Sequence, residues 1–294
     1  MSSIRLSVAL AGVILLGGAF VTHAKEGTSS RKIVLVAGET AKVDKVGHHD
    51  YLAGCKCLEV LLRQTDGVDV VQVTDGWPDA DSVFDNANAI VFYTDGGGKQ
   101  AFLESPDRIA KVQALADAGV GLVMIHQAVD FPESFAEQGK KWIGGLYING
   151  QSGRGHWDSK HVEFPNHAIT RGVTPWQIND GWLNGLRFVD GLQGVEPLVW
   201  SGKEYAGSRA GLDGDIVGWA FERPAGGRSF SFTGLDAHSA WSLPGMRKLV
   251  VNGVLWSAGV EISADGAACE IDDDWLELMQ TPREPKKTAE PTRR

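Results

Sequence analysis

The chain has 294 residues, with 28 Lys or Arg against 37 Asp or Glu, a formal charge of −9. That balance excludes a nucleic-acid partner, whose phosphates require clustered Lys and Arg, and it disfavours binding to an anionic membrane surface. The length is enough for a full buried core, and 10 Trp and 37 Gly suit core filling, turns and stacking on flat ligand faces such as sugar rings.

Residues 1–24 carry Arg5, an apolar run from Leu6 to Phe20, and Thr22-His23-Ala24. This pattern reads as a signal peptide cut after Ala24, since the run is short for a membrane span. The expectation is an exported protein, periplasmic or extracellular, with no membrane attachment after cleavage.

The domain is expected over 25–262. "KIVLVAG" (32–38) reads as a strand buried on both faces, because its apolar run is unbroken and ends in Gly. A loop with "GHHDY" (47–51) leads to a helix ending near Thr65, then to strands "VDVVQV" (68–73) and "NAIVFY" (88–93). Residues 105–118 open with Ser-Pro and carry apolar residues at helical spacing, and "GVGLVMIH" (119–126) is a fourth strand. Strands alternating with helices in this order give a parallel, doubly wound α/β sheet.

A Gly- and Trp-rich region follows from 140 to 215, with short strands expected at 160–164, 186–189 and 197–200. "DIVGWAFE" (215–222) and "GRSFSFTG" (227–234) read as a hairpin, and "PGMRKLVVNGVLWSAG" (244–259) as a closing helix between Pro and Gly. From Ser263 to the end the chain reads as a polar, disordered tail.

Cys55 and Cys57 fall in a helical stretch at i, i+2 and face different ways, so they do not bridge each other. A bond from either to Cys269 is compatible with an exported chain; three buried apolar thiols is the plainer reading. "DGGGKQ" (95–100) lacks the spacing of a nucleotide-binding loop and reads as a turn, so no nucleotide cofactor is expected. "DDDW" (272–275) lacks the alternating ligands of a calcium loop.

The histidines are the chemical signal. His126 ends the fourth strand, His48 and His49 lie in the loop after the first, His238 follows the strand 227–234, and His156 sits in the Gly-rich insertion. Loops at one edge of a parallel sheet bring distant residues together, so several imidazoles are expected to share a cleft. There they serve as metal ligands or as acid and base near neutral pH. His161 and His167 read as structural.

"GVGLVMIHQA", "IGG" with "GHW" at 143–157, "PNHAITRG" at 165–172, Asp180, "GGRSFSFTGLDAH" and "VNGVLWSAG" occur in that order. Together they resemble the ThuA-like (trehalose utilisation) family, relatives of the class I glutamine amidotransferase fold, over about residues 33–260. The resemblance implies a flavodoxin-like doubly wound sheet and a role in carbohydrate catabolism. Amidotransferases present a cysteine nucleophile after this strand; "MIHQA" holds no Cys, Ser or Thr, which removes thioester chemistry there. Two departures stand out: Gly181 and Leu183 replace the Glu and Tyr of the family's acidic segment, and Ala237 replaces a Gly.

The resulting expectation is a carbohydrate-processing enzyme, a hydrolase, lyase or isomerase acting on (3-keto) disaccharides or glycosides. His126, His238 and Asp180 are the candidate catalytic residues, with Asp180 orienting or acting as base. His48, His49, His126 and His238 are candidate ligands for a divalent metal such as zinc, and His156, Trp157, Trp182 and Trp241 are candidate substrate contacts. Compatible partners are a small carbohydrate and a second copy in a homo-oligomer. The rival readings are a non-catalytic carbohydrate-binding or assembly subunit, which predicts no convergence of imidazoles, and a hydrolase using Cys55 or Cys57.

Overall fold

The computed structural model describes residues 30–39, 47–202 and 216–280. The proposed signal peptide at 1–24 and the end of the tail, 281–294, lie outside the described residues. No helix among the described residues is long and apolar enough to cross a membrane.

The first half follows the expected rhythm: β1 (Arg31–Ala37), α1 (Tyr51–Leu62), β2 (Val68–Val73), β3 (Ala87–Tyr93), α2 (Pro106–Asp117) and β4 (Gly121–Ile125). Asp50 caps α1 by accepting from the Ala53 amide, and Ser105 caps α2 ahead of Pro106. Both devices satisfy backbone donors that a helix start leaves open.

The second half adds α3 (Ala136–Ile143), β5 (Gly145–Leu146), β6 (Gly153–His161), β7 (Trp176–Asn184), β8 (Arg187–Phe188), β9 (Val195–Trp200), β10 (Ile216–Glu222), β11 (Arg228–Phe232), α4 (Pro244–Ser257) and α5 (Asp273–Met279). The main sheet runs β2-β1-β3-β4-β11-β10-β9. Strands β2, β1, β3, β4 and β11 are parallel, while β10 and β9 join antiparallel at one edge. The 2-1-3-4 beginning is the flavodoxin-like order, with its switch point between β1 and β3.

Period-two alternation divides the core into two layers. Ile33, Leu35, Val91, Val123 and Ile125 face α1 and α4, whereas Val34, Val36, Phe92, Leu122 and Met124 face the side of α2 and α3. Each such aliphatic residue, fully buried, contributes roughly 1.5–3 kcal/mol of transfer free energy.

Two expectations change. The strand expected at 160–164 is instead the end of β6, which pairs with β7 over nine residue pairs as a separate ribbon. Polar residues such as Arg154, Asp158 and Lys160 on its outer side obscured that pattern in the sequence. The polar tail also does not begin at 263: α5 packs Leu276 and Met279 into the core beside Cys269. The acidic run that opens it is a helix start, with Asp272 accepting from the Asp274 amide. All three cysteines are free and buried, and Cys57 Sγ lies 3.4 Å from Met279 Sδ. Burial raises the Cys55 thiol well above its usual range and the Cys57 thiol to about 12, which leaves neither as a thiolate nucleophile.

Candidate functional site

Parallel strands end at a common rim, and the residues just beyond β1, β3, β4 and β11 meet there. His126 is the first residue after β4, held at φ 57. His49 and Leu235 also have left-handed backbones, at φ 48 and 68. Non-glycine residues in this region are uncommon and concentrate at functional sites.

The loop after β1 is zipped to the loop after β11. The His49 amide donates to Asp236 O at 3.0 Å, the His238 amide to Gly47 O at 2.6 Å, and His48 bridges Ala237 antiparallel. These contacts place Asp236, which is 1% exposed, at the centre of four imidazoles. His48 Nδ1 and His156 Nε2 lie 2.6 and 2.7 Å from Asp236 Oδ2. His49 Nε2 and His126 Nε2 lie 2.9 and 3.5 Å from Asp236 Oδ1.

One tautomer is set by its partner. His126 Nδ1 faces the Thr233 carbonyl at 2.9 Å, so it carries the hydrogen and Nε2 presents a lone pair. That Nε2 is buried and has no hydrogen-bond partner. The Gln127 amide nitrogen lies 3.2 Å from His49 Nε2. His49 Nδ1 lies 3.7 Å from Asp95 Oδ1. Asp95 is itself held by the Tyr51 hydroxyl.

Burial lowers the His126 imidazole to about 4, against the opposing pull of Asp236. It is neutral at physiological pH, as a ligand or base must be. Burial by itself would raise Asp236, but contact with His49 and the neighbouring His126 and His48 outweigh it and hold the carboxylate well below its usual range.

The site opens into a cavity of about 220 Å³ lined by His49, His126, Gln127, Arg154, His156 and Trp182, among others. Larger hollows exist, one of about 470 Å³ beside Arg31, Arg223 and Arg228. That one lies at the opposite rim, away from the histidines, where Arg223 is occupied by the carbonyls of Val120, Gly226 and Arg228.

The sequence expectations separate clearly here. His48, His49, His126 and His156 converge. His238 does not: it is buried, its Nε2 faces the Leu276 carbonyl of α5 at 2.8 Å, and it lies outside both candidate ligand sets. Two residues along an irregular turn reverse the side chain, so His238 anchors α5 while Asp236 enters the site. Asp180 does not line the cavity. Fully buried, it accepts the amides of Gly181, Leu235 and Ala237 at 2.9, 2.7 and 3.0 Å and so orients the turn that carries Asp236.

Of the three tryptophans, Trp182 lines the cavity. Trp157 donates to the Ser201 carbonyl and Trp241 is sealed in the core, so neither offers a stacking face to the cleft. The departure at Gly181 has a steric reason: a Cβ there would stand 2.7 Å from the Asp236 side chain. Asp236, Asp95 and Arg154 are not among the residues expected from the sequence; for Asp236 the available signal is "GLDAH", which places a carboxylate just beyond a parallel strand.

Comparison with known proteins agrees with this architecture. The family description "ThuA: Trehalose utilisation" matches residues 33–257. A ThuA-like protein from Parabacteroides merdae superposes with a TM-score of 0.55 at 16% identity, over 82% of this chain and 97% of that one. Another, from Bacteroides uniformis, gives 0.58 at 13% identity, over 80% and 94%. The glutaminase domain of CTPS from Trypanosoma brucei is a more distant likeness, at 0.43 and 12% identity over 81% and 98%. No curated protein matches.

Proposed function

Because the chain belongs to the ThuA, or trehalose utilisation, family, we propose that it is an exported carbohydrate-processing enzyme. Its substrates on this reading are (3-keto) disaccharides or glycosides, and its chemistry that of a hydrolase, lyase or isomerase assisted by a divalent ion such as zinc.

One observation carries the reading. His126 Nε2 and Asp236 Oδ1 are buried acceptors 3.5 Å apart, each without a hydrogen-bond partner, and His49 Nε2 converges on the same point. Lone pairs held this close repel unless a cation lies between them. Their donor set, two imidazoles and a carboxylate, is one that zinc accepts with a further position open for substrate or water.

The outer contacts fit the same role. Thr233 O fixes the His126 tautomer, and Asp95, braced by Tyr51, faces His49 Nδ1. Ligating histidines are oriented by such partners. A bound divalent ion would polarise a sugar carbonyl as a Lewis acid. His156, whose side chain is 54% exposed, stands at the mouth with its Nε2 turned to Asp236 Oδ2. Arg154, 51% exposed at the same mouth, is placed to hold sugar oxygens.

A cavity of about 220 Å³ is smaller than the roughly 300–1,000 Å³ that engulfs a drug-sized ligand. One reacting sugar ring enters, and the remainder of a disaccharide lies across the opening. The binding-module alternative loses ground because four imidazoles share one carboxylate and two of the three candidate stacking tryptophans are sealed away.

The test is direct. Purified protein is incubated with 3-keto-disaccharides before and after chelation, and its metal content is measured. Turnover that chelation abolishes and zinc restores is expected; a metal-free protein with unaltered turnover removes the metal, and no turnover on any keto-glycoside removes the enzyme assignment.

A further inference from the structure

Asp236 has two carboxylate oxygens, and each faces its own pair of imidazoles. The described residues contain two sets of potential ligand atoms, each mutually within 4.8 Å: His49, His126 and Asp236, and His48, His156 and Asp236. The sets share only Asp236. From this geometry we infer that the site is a two-metal centre, with Asp236 bridging one divalent ion at His49 and His126 and a second at His48 and His156. The inference rests on the functional reading above, which requires only the first ion.

Ring geometry fits both sites, and at the second an ion would replace the hydrogen bonds that join His48 Nδ1 and His156 Nε2 to Asp236 Oδ2 at 2.6 and 2.7 Å. Metal–nitrogen distances of about 2.0–2.1 Å and tetrahedral angles put the ring centroids of two imidazoles on one zinc about 5.2 Å apart. The His49 and His126 centroids are 5.1 Å apart, and those of His48 and His156 are 5.7 Å apart. Each pair is therefore splayed as two ligands of one ion. A carboxylate bridge matches the roughly 3.5–4 Å separation of paired metals.

The surroundings are shaped for the same purpose. His156 lies opposite Gly181 in the β6–β7 ribbon, and the missing side chain at Gly181 leaves the space that the Asp236 carboxylate occupies. His48 and His49 are adjacent in sequence, yet they present Nδ1 and Nε2 to different oxygens of Asp236. The left-handed backbone at His49 permits this splay.

Charge then indicates the class of ligand. An imidazole adds no charge as a ligand, so the one carboxylate compensates one unit of the four carried by two divalent ions, leaving room for an oxygen-rich, electron-donating substrate. An α-hydroxyketone, with carbonyl and hydroxyl oxygens on adjacent carbons, offers one oxygen to each ion. A 3-keto sugar contains that unit; an unoxidised glycoside lacks the carbonyl half.

The experiment is metal stoichiometry. The purified chain is stripped with a chelator, titrated with zinc, freed of excess ion and assayed by elemental analysis, beside His156→Ala and His126→Asn. His156 is more than half exposed, so its replacement leaves folding intact, which circular dichroism checks. Asn suits the left-handed backbone at 126 but is too short to reach the position of Nε2. Two zinc ions per wild-type chain and one in each variant are expected.

One zinc in the wild type and one in His156→Ala overturns the second ion while leaving the first. Two in both overturns the placement at His156. No zinc in any protein overturns this inference and the metal-assisted reading beneath it.

Discussion

Asp180 grips the chain on both sides of Asp236: its Oδ2 accepts the Leu235 amide at 2.7 Å and its Oδ1 the Ala237 amide at 3.0 Å. The carboxylate at the centre of the site is thus aimed by a second one buried behind it. Removing the Asp180 side chain strands buried amides, each costing about 1–3 kcal/mol. Asp180→Ala is expected to lose about 2–5 kcal/mol in urea denaturation and to bind zinc at least tenfold more weakly. Unaltered zinc affinity in a folded variant would show that Asp180 does not position Asp236.

His126 combines a free Nε2 with a left-handed backbone. His126→Asn retains a residue suited to that conformation, so unfolding free energy is expected to change by no more than about 1 kcal/mol. Turnover of a keto-disaccharide should fall by about 100-fold or more, since a ligand is lost rather than a partner that orients one. Activity within a few fold of wild type would take His126 out of the mechanism.

Arg154 stands at the cavity mouth, 3.5 Å from Asp130 and 5.5 Å from the centre of the Tyr147 ring. Half exposed at the mouth of the cavity, it is placed for substrate binding rather than for the reacting carbon. Arg154→Ala is expected to raise KM by about tenfold with kcat altered less than threefold, which steady-state kinetics resolves. A loss carried wholly in kcat would move Arg154 into the chemical step.

His161 is buried between Trp176 and Trp182, with centroids 5.0 and 5.4 Å away, and burial lowers its imidazole to about 4. The usual value is near 6.5, so between pH 6.5 and 4 the unfolded chain binds the proton that the folded chain refuses. Stability is therefore full above pH 6.5 and falls as the pH drops towards 4, by on the order of 2–3 kcal/mol from this residue. His161→Phe is expected to flatten that slope in denaturation curves taken from pH 4.5 to 7. An unchanged slope would assign the acid sensitivity elsewhere.

The C-terminal helix is testable by subtraction. Leu276 and Met279 are buried, and the Leu276 carbonyl meets His238 Nε2. Leu276→Ala is expected to cost about 2–4 kcal/mol, and truncation after Ile262 more, with Cys57 becoming reactive to thiol reagents. A truncated chain as stable as the full one would return residues 263–280 to the status of a dispensable tail.

The β1-to-β4 rhythm, the hairpin of β10 and β11 and the closing α4 were legible because burial on a regular element imposes a period, and a period shows in the order of residues. The placement of His126 at a strand end follows from the same regularity. The rim loops have no period. Leu235 turns at φ 68, so Asp236 points into the cluster while His238 points to α5. No pattern in "GLDAH" distinguishes the two, because side-chain direction there is set by backbone hydrogen bonds to Gly47 and His49 almost two hundred positions earlier. The residue order thus specified which strands deliver histidines to one edge; their gathering around Asp236, rather than around His238, came from long-range contacts between loops that only the folded chain forms.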